Sequence, residues 1–159
     1  MPWLNRTLNI ALLSSLAARP AFAQFDSVGS LEFPTSTESS EAQSHFLRGV
    51  AILHSFGWKQ AIEQFQAAQN LDSDFVLAYW GETLCYNHPL FEGVAPDEDS
   101  PRKVLARLGS TRAARAAKAK TEREAGFLNA VEVLWSDEGT YDERRVAYME
   151  TMADLHERY

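Results

Sequence analysis

Apolar side chains recur at helical spacing along most of the chain from residue 40 onwards. The first run extends from Ser40, the predicted N-cap, to Phe56. Its apolar residues stand at intervals of four, four and three: Ala42, Phe46, Val50 and Leu53. This spacing puts them on one face of a helix. Leu47 and Ile52 add a second apolar face, which predicts a helix packed between neighbours.

A second helix is predicted from Trp58 to Leu71. Gly57 is a natural C-terminal stop for the first helix. Small and aromatic residues then recur at spacings of four and three: Ala61, Phe65 and Ala68. The Asp-Ser-Asp sequence at residues 72–74 is a turn signal. The two helices are therefore expected to form a hairpin.

A third helix, rich in aromatic residues, is predicted from Phe75 to about His88. Pro89 disfavours its continuation, and the acidic stretch Leu90 to Ser100 is expected to be a loop. The returning helix would be Pro101 to Leu108, with proline at the first helical position. A short helix of alanine and arginine, from about Thr111 to Ala119, has almost no large apolar residue and is expected on the surface.

Two capping boxes introduce the last pair of helices. Thr121 with Glu124 forms the first, and Thr140 with Glu143 forms the second. Apolar residues at helical spacing follow each box: Phe127, Val131, Leu134 and Trp135, then Tyr148, Met152, Leu155 and Tyr159. Helical arrays normally end in a polar capping repeat. We therefore expect either a chain truncated at Tyr159 or self-association through the C-terminal helix.

The first and third helices have related sequences. A shift of 34 residues sets Phe46 on Trp80, Val50 on Leu84 and His54 on His88, and 34 residues is the period of tetratricopeptide repeats (TPRs). Four residues resemble the small and aromatic positions of the TPR consensus: Gly49, Ala61, Phe65 and Ala68. The chain is thus similar to exported bacterial TPR proteins. The resemblance implies an all-α fold, an array of antiparallel helical hairpins forming a short right-handed solenoid over residues 41–159.

The N-terminal residues are typical of an export signal. A weakly basic start, an apolar run and the small-x-small sequence ending at Ala23 predict a signal peptide over residues 1–23, and hence a periplasmic or secreted protein. A membrane anchor and a cytoplasmic protein with an apolar N-terminus are the alternatives. Residues 24–40 are expected to be a flexible lead-in, although Leu31 and Phe33 could lie across the first helix pair.

Charge and cysteine content narrow the possible functions. The net charge is -7, yet eight of the 15 basic residues fall between Arg102 and Arg123, where Glu122 is the only acid. We expect this basic strip to dock on the protein's own acidic faces or to be solvated. An acidic exported protein is a poor nucleic-acid binder, and no stable membrane anchor is expected. Cys85 is the only cysteine, so no intramolecular disulfide can form. It lies on a predicted helix between Leu84 and Tyr86 and is interpreted as a buried, inert thiol.

The resemblance also implies a binding surface. In TPR arrays the first helix of each hairpin lines a concave groove. In this chain Gln43 and Leu53 of the first helix would lie in that groove. Eight further residues form the predicted partner-binding set: Phe46, Val50, His54, Leu77, Trp80, Leu84, Asn87 and His88. An aromatic floor with histidine and amide edges suits a peptide. The alternative is that these residues pack against the N-terminal tail or the alanine-arginine helix of the same chain.

No pattern in the sequence indicates catalysis. There is no nucleophile elbow, glycine-rich phosphate loop or paired metal motif, so no catalytic residue, cofactor or metal ligand is assigned. The predicted function is a non-catalytic scaffold that binds a protein or peptide. One alternative is a metal or haem site that uses His54 and His88, one repeat apart, with Cys85 or Glu82 as further ligands. The other is an accessory subunit of an exported enzyme.

Overall fold

A computed structural model describes residues 31–87 and 96–159. These two ranges contain seven helices and no strand, which confirms the predicted all-α class. The helices, in chain order, are α1 (Ser40–His54), α2 (Trp58–Leu71), α3 (Val76–Leu84), α4 (Asp99–Leu108), α5 (Arg112–Ala116), α6 (Glu122–Leu134) and α7 (Tyr141–Arg158).

Several predictions concern residues outside those ranges. The signal peptide, the start of the lead-in, His88, Pro89 and most of the acidic loop all lie there. Within the described ranges, no helix combines the length and the apolar character needed to span a bilayer.

Most consecutive helices pack side by side. The main neighbours are α1 with α2, α2 with α3, α3 with α4, and α6 with α7. In addition, α3 packs against both α1 and α6. The first helices of the three predicted hairpins are therefore adjacent in the order α1, α3, α6. That these hairpins form a right-handed TPR-like solenoid stays a prediction.

Local capping chemistry sets the helix boundaries. Helix α2 begins and ends at the predicted residues, whereas α1 is capped by Ser39, whose side chain accepts from the Ala42 amide, and not by Ser40. Helix α3 ends four residues earlier than predicted. The amide of Cys85 donates to the carbonyl of Glu82, only three residues back, so the α-helical hydrogen-bond pattern stops there. Helix α4 includes Pro101 two residues after its start, which is tolerated because first-turn amides have no helical acceptor.

A phenylalanine fills the space between three helices. Phe65 of α2 is completely buried. A Cβ atom built on Gly49 of α1 would lie 2.8 Å from the Phe65 ring, and one built on Gly81 of α3 would lie 2.4 Å from it. Only residues without a side chain allow α1 and α3 to approach this ring so closely. The predicted role of Gly49 and Phe65 in close helix packing is confirmed.

The basic strip is bound to the protein's own acids. Arg115 of α5 forms an ion pair with the nearly buried Glu132 of α6, at 2.5 Å. Arg107 of α4 pairs at 2.5 Å with Glu82, which is fully buried in α3. Lys118 pairs with an aspartate of the turn between α2 and α3. The prediction that the strip docks on acidic faces is confirmed for these residues.

Candidate functional site

The predicted partner-binding residues lie in different environments. Four of them are buried in the protein's own core: Phe46, Val50, Leu77 and Trp80. Leu84 and Asn87 are half-buried, and the Asn87 side chain accepts a hydrogen bond from the Tyr141 hydroxyl at 2.6 Å. His54 is exposed in the last turn of α1. His88 is outside the described residues, so its pairing with His54 stays a prediction.

A non-helical segment of the same chain, which bends at Ser36, covers the buried aromatic residues. We call residues 33–37 the strap. The Phe33 ring lies 5.3 Å from the Phe46 ring of α1, 6.2 Å from Trp80 of α3 and 5.5 Å from Phe127 of α6, measured between ring centroids. The strap therefore crosses the first helices of all three hairpins. Phe33 lies across α1, as the sequence analysis anticipated, whereas Leu31 is exposed.

Side chains of the helices hold the main chain of the strap. The Gln43 side-chain amide donates to the carbonyl of Phe33 at 2.8 Å, and Arg123 donates to the carbonyl of Pro34 at 3.0 Å. The Arg123 guanidinium also lies over the face of the Phe33 ring, 4.4 Å from its centroid. One arginine thus binds both an aromatic ring and the following carbonyl group.

A buried carboxylate binds the other end of the strap. Glu124 of α6 is 3% exposed. Its two oxygens accept from the amide of Ser36 at 2.7 Å and from the Ser36 hydroxyl at 2.6 Å. Lys120 approaches the Ser36 carbonyl at 3.4 Å. Both the amide and the hydroxyl of a single serine are therefore recognised.

This use of Glu124 corrects one prediction. The Thr121 hydroxyl accepts from the Glu124 amide at 3.1 Å, which is the first half of the predicted capping box. The Glu124 carboxylate, however, turns to Ser36 and does not complete the box. At the start of α7 both halves form between Thr140 and Glu143. The strap therefore occupies a group that α6 would otherwise use for its own cap.

The residues that contact the strap form one surface, which we call the strap site. Its main residues are Gln43, Phe46, Trp80, Arg123, Glu124 and Phe127, and Lys120 and Asp72 make further contacts with Ser36 and Thr37. Three of these belong to the surface predicted from the TPR resemblance, whereas the three residues of α6 were not predicted. Arg123 and Glu124 read as ordinary first-turn residues of a helix, and only tertiary structure brings them to the strap.

An open pocket adjoins the strap site. Its volume is about 220 Å³, and it lies between α6 and α7. Its lining residues are Arg123, Phe127, Met152, Leu155, His156 and Tyr159. We call it the side pocket. Arg123 and Phe127 belong to both surfaces, so the side pocket is continuous with the strap site. Its lining is mainly apolar, and Arg123 and His156 are its nitrogen-bearing side chains.

The residues considered as further metal ligands are engaged elsewhere. Glu82 accepts from Gln66, Gln69 and Arg107. The Cys85 thiol donates to a carbonyl of α3, and burial, with a smaller contribution from the Glu82 carboxylate, raises its pKa. The prediction that Cys85 is buried is confirmed. In the described part of the chain, no group of three or more potential ligands is gathered in one place.

Comparisons of the chain with models of known protein families, with curated proteins and with solved structures gave no match.

Proposed function

We propose that this chain is a non-catalytic protein-binding module that acts in the periplasm or outside the cell and holds an extended peptide segment at the strap site. The observation that supports this is the strap itself. Helical side chains bind its carbonyl groups at Phe33 and Pro34 and its amide at Ser36. Such main-chain contacts do not depend on the side chains of the bound segment, so other extended peptides can form them.

The position of the strap site agrees with the TPR resemblance. In that family the first helices of successive hairpins form the peptide-binding surface, and α1, α3 and α6 are the helices that the resemblance assigns to that surface here. The aromatic side chains of Phe46, Trp80 and Phe127 would supply the apolar floor, and the polar side chains of Gln43, Arg123 and Glu124 the edges. The strap shows that this surface accommodates a non-helical segment, which supports the binding of a peptide there.

Selection from a phage-displayed library of random peptides tests the proposal. The target is the full chain carrying Phe33→Ala, which weakens the anchor of the strap. A matched control target carries Arg123→Ala in addition and lacks the guanidinium that binds a peptide carbonyl. We expect peptides that bind the first target at least tenfold more tightly than the second. Failure to enrich any peptide on a helical, folded target would refute the proposal, as would equal binding to both targets.

A further inference from the structure

The chemistry of the strap site indicates what its partner contains. We infer that the partner is an extended segment with an aromatic residue followed, three positions later, by serine or threonine, and that the strap competes with it for the same site. This inference rests on the proposed function and specifies its ligand.

The aromatic position is defined on several sides. Phe33 contacts three rings, with edge-to-face packing on Phe46 at an interplanar angle of 73°. Arg123 covers its face. An aliphatic side chain would bury apolar area there but would lose the attraction between a cation and a π face, and the preferred geometry of aromatic pairs. The site therefore favours an aromatic ring.

The hydroxyl position is defined by the buried Glu124. Its oxygens accept one hydrogen bond from the Ser36 amide and one from the Ser36 hydroxyl. Without a hydroxyl group, the buried carboxylate loses a short, charge-assisted hydrogen bond. Removing a partner from a buried charged group is more unfavourable than removing one from a neutral group. Alanine at this position should therefore weaken binding at least tenfold.

Two observations support exchange of the strap for a partner. The strap lies outside any helix, and its Pro34 and the neighbouring Glu32 and Glu38 are exposed, so its release breaks no hydrogen bond within a helix. In addition, the side pocket beside Arg123 and Phe127 is open while the strap is bound. The pocket, at about 220 Å³, exceeds the roughly 150 Å³ that accommodates a benzene ring. A partner that reaches into it gains contacts that the strap does not make, which offsets the advantage of a tethered competitor.

A synthetic peptide with the sequence of residues 31–39, carrying a fluorophore, tests this inference by fluorescence anisotropy. The proteins are the full native chain, the Phe33→Ala and Ser36→Ala variants, and a Glu38→Gln control whose altered residue is exposed and next to the strap. We expect at least tenfold tighter binding to Phe33→Ala than to the native chain, intermediate affinity for Ser36→Ala, and native-like affinity for Glu38→Gln. Strap peptides that carry Phe33→Leu or Ser36→Ala should bind the Phe33→Ala protein at least tenfold more weakly than the unmodified strap peptide does.

The possible outcomes separate this inference from the proposed function. If library peptides without the aromatic-x-x-hydroxyl pattern bind Phe33→Ala and the strap peptide does not, the inference is wrong and the proposed function stands. If neither the library nor the strap peptide binds the folded variants, both are wrong. Equal affinity of all strap peptides for all proteins would also overturn the inference. Ser36→Ala removes only polar contacts, so it provides a folded target if Phe33→Ala does not fold.

Discussion

Gly81 provides a quantitative test of the packing around Phe65. Replacing it by alanine would bring a Cβ atom to 2.4 Å from two ring carbons of Phe65. The ring has little room to retreat, because Gly49 faces it from the other side, where a Cβ would lie 2.8 Å away. Overpacking of this kind is unfavourable by about 3 kcal/mol at the upper end. Alanine recovers up to about 1 kcal/mol through helix propensity, so we expect a net loss of about 2 kcal/mol.

Urea and thermal denaturation, followed by far-ultraviolet circular dichroism, measure this effect. A loss of about 2 kcal/mol should lower the thermal midpoint by roughly 5–10 °C. The matched control is Gly126→Ala in α6. Its Cβ would lie 2.5 Å from Leu155, but the atom met there is the methyl end of a flexible side chain. Leu155 can rotate away, so we expect a distinctly smaller loss for the control.

A double-mutant cycle identifies the contact responsible. Phe65→Leu removes the two ring carbons that the new Cβ would meet, so adding Gly81→Ala to it should cost less than adding it to the native chain. We expect a coupling free energy of roughly 1–2 kcal/mol. Additive effects, or a Gly81→Ala variant as stable as the native chain, would refute the assignment of Phe65 to the space between α1 and α3.

Three further predictions concern other parts of the chain. Cys85 should resist iodoacetamide until the chain unfolds, because burial raises its pKa; alkylation in the absence of urea would contradict this. Arg144→Ala should lower the free energy of unfolding by about 2–3 kcal/mol in urea titrations, because the nearly buried guanidinium donates to two main-chain carbonyls and to Glu98. Hydrogen bonds from Thr140 lower the pKa of Glu143 below its ordinary value of 4.5, so its stabilising effect is present above that pH and is lost on acidification. Glu143→Gln should therefore lose less stability than the native chain between about pH 5 and pH 3, and equal losses would count against the capping box.

The fold could be predicted where it depends on neighbouring residues. Helix α2 coincides with its predicted limits, since Gly57 and the turn after Leu71 are local signals. The N-caps Thr121 and Thr140 were recognisable for the same reason. The early end of α3 was not, because it depends on amides that switch to carbonyls three residues back, and many sequences permit that turn.

The site was harder to predict, because periodicity shows which residues share a helix face but not what covers that face. Phe46 and Trp80 were predicted to line a partner surface, yet they are buried in the protein's own core, beneath Phe33. The contact between Glu124 and Ser36 joins residues 88 positions apart. No local pattern distinguishes a glutamate that completes a capping box from one that binds a distant serine.

The half-formed capping box of α6 would offer the Glu124 carboxylate a second donor besides the strap. At α7 the equivalent glutamate accepts from the amide of its own N-cap residue, Thr140, at 2.7 Å. When the strap leaves, Glu124 can form the same bond with Thr121, so its carboxylate is not left without a donor. Release of the strap and completion of the α6 cap are then coupled in one equilibrium. A peptide that takes the place of the strap would draw the carboxylate back out of the cap, so the amide of Thr121, the N-cap residue of α6, would report occupancy through its protection from hydrogen exchange.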